Sequence, residues 1–85
     1  MPEKITYYAI VDELSSRDKP AGVLRRIVHE GGERDEAFTR GLEWKRSASL
    51  YSYERGNGDA EFYEISEDEA DRIVDRIRRS VAGGA

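Results

Sequence analysis

The sequence predicts an α+β domain in which a C-terminal helix packs on one face of an antiparallel sheet of about four strands. Residues 66–81 have the cap, charge order and apolar spacing of an amphipathic helix, and several earlier segments have the β-branched and aromatic composition of strands. A helix with one apolar face needs a surface to cover it. We therefore expect the order β-β-(short helix or loop)-β-β-α in a single domain over residues 1–85, frayed at 1–4 and 82–85.

The helix signals begin at Ser66, whose hydroxyl can accept a hydrogen bond from a free N–H of the first turn. Glu69 follows three residues later, which is the spacing of a capping box. Acidic residues fill the first turn and arginines follow toward the end, so both ends complement the helix dipole. The apolar residues recur three and four positions apart and form one stripe: Ala70, Ile73, Val74, Ile77 and Val81.

The first two strands are predicted over residues 5–11 and 23–29. The first is a β-branched and aromatic run, and in the second the basic residues Arg25 and Arg26 point to opposite faces. Residues 13–22 between them are rich in turn formers. Because this loop is long for a hairpin, we expect it to fold over the sheet edge or to bind a ligand.

The middle of the chain has the weakest pattern. Residues 35–41 have the pattern of a helix of one or two turns, with Asp35 as its cap and Gly41 at its end, and a loop is the alternative. Residues 50–55 and 60–65 have the composition of strands, and Gly56-Asn57-Gly58-Asp59 between them has the composition of a tight turn. These segments therefore predict a β-hairpin that leads directly into the C-terminal helix.

Composition narrows the possible functions of this 85-residue chain. The absence of cysteine excludes disulfides and thiolate metal sites, and a net charge of −4 disfavours nucleic-acid binding through a global basic field. No stretch approaches the roughly 20 apolar residues of a membrane span, and no signal peptide is evident. We therefore expect a cytoplasmic protein with no membrane partner.

No group of residues has the spacing of a catalytic, cofactor or metal site, so we expect a protein that is not an enzyme and has no cofactor. His29 is the single imidazole in the chain. A catalytic role would require a nucleophile and an orienting acid near it. The structural alternative, which we favour, is a solvated residue at the end of a strand.

Aromatic and basic residues supply the candidate binding surface. Residues 40–55 carry four basic and two acidic side chains around the single tryptophan. Tryptophan and arginine are enriched at interaction hot spots, and an aromatic ring can stack on a base. A tryptophan in so short a chain more often belongs to the core than to a binding site. The candidate residues are Arg25, Trp44, Lys45, Arg46, Tyr51, Tyr53 and Arg55.

Two interpretations of function stay open. The first is a non-enzymatic protein-interaction module whose partner is another protein or a second copy of the chain, bound on the sheet face that the helix leaves uncovered. The second is a weak binder of nucleic acid or of an anionic ligand, through the tryptophan, arginine and lysine side chains.

Four segments of the chain can be compared with known sequences: residues 7–12 (YYAIVD), 20–26 (PAGVLRR), 34–38 (RDEAF) and 65–70 (ISEDEA). Together they resemble small uncharacterised actinobacterial proteins that share a domain of unknown function. The excess of arginine over lysine, 11 to 3, is compatible with a GC-rich genome. The resemblance covers most of the chain and implies no particular activity.

Overall fold

A five-stranded antiparallel sheet carries a long helix on one face and a short helix on the other. The structure is a computed structural model that describes residues 3–39, 41–56 and 60–83, without the side chains at positions 49, 51, 52 and 83. The α+β class and the C-terminal helix on the sheet are confirmed, with one strand more than expected. The elements are β1 (Lys4–Val11), β2 (Gly22–His29), β3 (Gly32–Phe38), β4 (Trp44–Arg46), α1 (Ser49–Glu54), β5 (Glu61–Ile65) and α2 (Glu67–Gly83).

The strand order is β4-β3-β2-β1-β5, with every neighbouring pair antiparallel. The register aligns Ala9 with Val23 on one side and with Tyr63 on the other. Side chains alternate between the two faces of a sheet. Odd-numbered residues of β1, β2 and β5 therefore share a face with even-numbered residues of β3 and β4. We call this the helix face, because α2 packs on it.

The apolar stripe of α2 packs on β1 and β2. The buried cluster on the helix face consists of Val23, Phe38, Ala70, Val74 and Ile77. Ile73 and Val81 are half-buried at its margin, so the stripe predicted from the sequence is the packing surface. The predicted cap is also confirmed, because Ser66 Oγ accepts a hydrogen bond from the N–H of Glu69 at 3.1 Å.

The short helix α1 covers the centre of the opposite face. Leu50 is buried there against Leu24 and Phe62. Tyr53, three residues after Leu50, packs its ring on Phe62 with the centroids 5.3 Å apart. Residues three and four apart share one side of a helix, so a helix lets both side chains reach the sheet. The strand predicted over residues 50–55 is therefore wrong, and the second face is not uncovered.

β3 replaces the helix predicted over residues 35–41, which is wrong. Asp35 and Glu36 lie opposite Arg26 and Arg25 of β2. Each acid accepts a hydrogen bond from the Nε of its arginine at 2.8 Å. Opposite charges that face each other across strands stabilise a sheet, and these pairs prevail over the local helix signal at Asp35.

Some predictions lie outside the described residues: Arg40, the turn residues 57–59 and the terminal residues 1–2 and 84–85. The hairpin predicted around that turn is wrong because its first arm is α1, whereas its second arm is confirmed as β5. Among the helices in the described ranges, none has both the length and the apolarity needed to cross a membrane.

Candidate functional site

The residues predicted to form one binding surface are divided between the two faces of the sheet. On the helix face lie Arg25, Trp44 and Arg46, as their register shows. On the opposite face lie Lys45 and Tyr53. Tyr51 lies in α1, with its side chain outside the described part, and Arg55 is an exposed residue directly after that helix. The structure therefore does not gather the predicted set into one site.

Arg25 and Trp44 interact with each other. The guanidinium of Arg25 lies 4.0 Å from the centre of the Trp44 ring, and its Nη2 is 2.7 Å from Glu36 Oε1. Trp44 is half-buried and packs on Phe38, with the ring centroids 5.4 Å apart. Because Arg25 covers one side of the ring, that side is not open to a stacking base. These contacts give Trp44 mainly a core role.

The two basic residues of β4 point in opposite directions and are both exposed. Lys45 Nζ lies 3.8 Å from Glu43, and both of these side chains are more than two-thirds exposed. Such an exposed ion pair adds at most about 1 kcal/mol to stability. Arg46 lies beside Glu36 on the helix face. A single ligand lying flat on one face of the sheet would therefore meet only one of the two cations.

His29 lies at the exposed end of β2, beside the turn to β3. Its Nδ1 accepts a hydrogen bond from the N–H of Gly31 at 3.1 Å. This local contact supports the structural interpretation of the histidine. Within residues 3–39, 41–56 and 60–83, no group of three or more His, Cys, Asp or Glu side chains is placed to hold a metal ion.

The outer edge of β5 is a better candidate for binding. β5 has five residues and pairs with β1, its one neighbour in the described sheet. The edge strand at the other side, β4, has only three residues. An edge strand presents a row of backbone N–H and C=O groups that can pair with another chain. The row of backbone groups at the edge of β5 is therefore longer than the row at the edge of β4.

The carbonyl of Ile10 shows which backbone groups of β5 point outward. Ile10 O accepts a hydrogen bond from the N–H of Ala21 at 2.8 Å, on the side of β2. The N–H and C=O of one strand residue point to the same side, so Ile10 turns away from its β5 partner Phe62. Along an antiparallel pair, facing residues alternate between pairs that exchange hydrogen bonds and pairs whose backbone groups point away from each other. Phe62 and Glu64 therefore direct their N–H and C=O groups to the open edge.

The side chains of β5 make this edge acidic and partly aromatic. Glu61 and Glu64 are exposed, whereas Phe62 is buried on the opposite face and anchors the strand. Tyr63 donates a hydrogen bond from its hydroxyl to Glu61, and this bond raises the pKa of Tyr63. The guanidinium of Arg17 lies 4.8 Å from the centre of the Tyr63 ring. The edge thus offers charge, aromatic surface and backbone groups together.

A cleft of about 560 Å³ lies between α2 and the loop of residues 12–21. Arg76 joins the two, since its Nη2 donates to Pro20 O at 2.8 Å and its Nη1 to Asp18 O at 3.5 Å. Leu14 lines the cleft and is 97% exposed. The loop therefore packs against α2 and reaches the β5 edge through Arg17.

Sequence reasoning identifies residues 60–65 as a strand but misses its exposed edge. The neighbours of a strand depend on non-local pairing, and β5 lies beside β1 although some fifty residues separate them along the chain. One local signal was present. Glutamate is depleted in strands, and charged residues are common on edge strands, so Glu61 and Glu64 in one short strand indicate an edge.

Comparisons with protein families, with curated proteins and with solved structures give no match for this chain. The resemblance to small actinobacterial proteins stays a prediction. The assignment of a site therefore depends on the geometry of the chain itself.

Proposed function

We propose that the protein is a non-enzymatic interaction module that binds an extended protein segment along the outer edge of β5. The observation that carries this proposal is a regular five-residue edge strand with the N–H and C=O groups of Phe62 and Glu64 directed outward. In strand addition, backbone hydrogen bonds supply affinity and the alternating side chains supply specificity.

The edge of β5 is a better binding site than the sheet face opposite α2, which the sequence pattern predicts as the interface. Leu50 of α1 is buried against that face. Beside Leu50, the guanidinium of Arg26 donates hydrogen bonds to Asp35 and Glu54, so these polar groups of the face are already paired. A partner docking flat on this face would have to displace α1. A partner strand at the edge of β5 displaces none of the helices and strands that the structure describes.

The alternative function, binding of nucleic acid or an anionic ligand, has less support. Arg25 is already paired with Glu36 and covers Trp44, and Lys45 lies on the other face. The identity of the partner and the cytoplasmic location stay predictions.

Two proline variants test the proposal. Glu64→Pro removes an outward N–H but no hydrogen bond to β1, and edge strands tolerate proline when its missing N–H faces solvent. Glu67→Pro is the matched control, because it makes the same chemical change at the first residue of α2, where proline is favoured. Circular dichroism and thermal unfolding first establish that both variants fold.

The probe is a set of peptides selected from a random displayed library on sparsely immobilised wild-type protein. We expect these peptides to bind the wild type and Glu67→Pro equally, and to lose about tenfold in affinity for Glu64→Pro, the equivalent of roughly 1.4 kcal/mol. Equal binding to both proline variants would show that the edge is not the site. A wild-type protein that is monomeric and yields no edge-dependent peptide would end the proposal altogether.

A further inference from the structure

We infer that the strand bound at the β5 edge is β5 of a second copy, so that the protein forms a two-fold symmetric homodimer. This inference rests on the proposed function and names its partner. Two copies of one strand can pair antiparallel about a two-fold axis if the outward groups match and the side chains do not repel. The strand Glu61–Ile65 meets both conditions.

A register centred on Tyr63 pairs every outward group of β5. In this register Phe62 faces the partner's Glu64, and Glu64 faces the partner's Phe62. These are the residues whose N–H and C=O groups point to the open edge. Each such pair exchanges two hydrogen bonds, as the hydrogen-bonded pairs of an antiparallel ladder do. The strand is therefore complementary to itself.

Other registers match less well. Centring the pair on Glu64 places two carboxylates directly opposite each other, which destabilises a sheet. Centring it on Phe62 pairs Glu64 with Ala60, which lies before the start of the strand. A register shifted by one residue places residues whose N–H and C=O groups point to the open edge opposite residues whose groups point toward β1. The register on Tyr63 is thus selected by both hydrogen bonding and charge.

The side chains at this register also suit an interface. Tyr63 meets the partner's Tyr63 across the axis, and aromatic pairs at facing strand positions are favourable. Glu61 opposes the partner's Ile65, so no carboxylate faces another. On the opposite face Tyr53 packs on Phe62 and is still 41% exposed. Because Phe62 belongs to the edge strand, Tyr53 lies near the edge, where a second copy would cover part of its exposed surface.

The described elements are compatible with a second copy at this edge. α2 packs on β1 and β2, and in the part of the chain that the structure describes no strand pairs with the outer side of β5. A two-fold axis perpendicular to the sheet places the two α2 helices on the same face, one on each side of the axis. The two sheets then form one continuous sheet, and both acidic edge strands become interior strands.

Single-cysteine variants test the register directly, since the chain has no cysteine. The two copies of position 63 face each other as a pair without hydrogen bonds, with Cα atoms about 4.5 Å apart, which is within reach of a disulfide. The two copies of position 61 lie about 14 Å apart, because each is two residues from the axis. We expect Tyr63→Cys to form a covalent dimer under mild oxidation and Glu61→Cys to stay without one.

Sedimentation equilibrium at high micromolar concentration supplies the second readout. The wild type and Glu67→Pro should have twice the 9.7 kDa mass of one chain, and Glu64→Pro should have the mass of one chain. A dimer that persists in Glu64→Pro, or that crosslinks equally at both cysteine positions, would place the interface elsewhere. A monomeric wild type that still binds peptides through its edge would overturn the homodimer and leave the proposed function intact.

Discussion

Arg26 and Asp35 form a two-point ion pair across β2 and β3, with Nε 2.8 Å from Oδ1 and Nη2 3.0 Å from Oδ2. Glu54, at the end of α1, accepts a further hydrogen bond from Nη2 at 3.0 Å. The hydrogen bonds to Asp35 and then to Glu54 raise the pKa of Arg26. The side chains of Arg26 and Asp35 are only 14% and 10% exposed. One guanidinium thus connects two strands and the short helix.

The variant Arg26→Met should destabilise the protein by about 1.5–3 kcal/mol, because it leaves the carboxylate of Asp35 shielded from water without its partner. Urea denaturation measures the loss. Replacing both partners, in Arg26→Met with Asp35→Leu, should recover most of it, since an apolar pair can substitute for a buried ion pair. A double variant that is no more stable than the single one would show that the unpaired carboxylate of Asp35 is not the source of the loss.

The variant Glu54→Gln separates the stability that Arg26 gains from its bond to the short helix α1 from the stability that it gains from its bonds within the sheet. The side chain of Glu54 is 50% exposed, so its pair with Arg26 should contribute no more than about 1 kcal/mol. Denaturation in low and high salt should show a small, screened difference from the wild type. A loss as large as that of Arg26→Met would contradict this division.

Leu24→Ala should cost about 2–5 kcal/mol, because the side chain is fully buried between the sheet and α1 and its truncation leaves a cavity. Leu14→Ala makes the same chemical change at a residue that is 97% exposed, and should alter stability by no more than about 0.5 kcal/mol. Thermal and urea unfolding of both variants provide the comparison. Similar losses at the two positions would show that Leu14 is covered in solution.

The elements that the sequence predicts correctly are those whose signals are local. The cap at Ser66 and the apolar spacing of α2 fall within one segment, and the β-branched runs of β1 and β2 need no partner to be evident. The two errors arise where a non-local contact prevails. Asp35 has the composition of a helix cap but pairs with Arg26 across strands, and Leu50 reaches Leu24 through a helix although its neighbours favour a strand.

The candidate site is a property of strand order, and the local signal at Glu61 and Glu64 does not specify which strands lie beside residues 60–65. Residues 60–65 are predicted as a strand, but the expected hairpin makes residues 50–55 their neighbour, whereas the neighbour in the structure is β1. Since α1 takes the place of the first arm, β5 keeps one neighbour in the described sheet and its outer side is left open. The wrong prediction of a strand over residues 50–55 and the failure to predict the edge of β5 therefore have the same cause, which is that residues 50–55 pack as a helix.

Ser66→Ala should destabilise the protein by about 1 kcal/mol, because it removes the hydroxyl that accepts from the N–H of Glu69 at 3.1 Å. Ser80→Ala is the matched control at an exposed position inside α2, where alanine is the better helix former. Hydrogen exchange should show faster opening of the first turn in Ser66→Ala alone. Equal protection of that turn in the two variants would mean that the hydroxyl of Ser66 contributes nothing to the cap.

The two neighbouring tyrosines of β1 should make stability fall at alkaline pH. Burial raises the pKa of Tyr7 and of Tyr8 above the ordinary value of 10.0, and the charge of Glu67 adds to the shift at Tyr7. The folded protein therefore holds these protons to a higher pH than the unfolded chain does, so the contribution is fully present below pH 10 and is lost as the pH rises through the folded pKa. Urea denaturation from neutral pH to above pH 10 should show a shallower decline in the double variant Tyr7→Phe, Tyr8→Phe than in the wild type. An equally steep decline in both proteins would assign the alkaline loss to other groups.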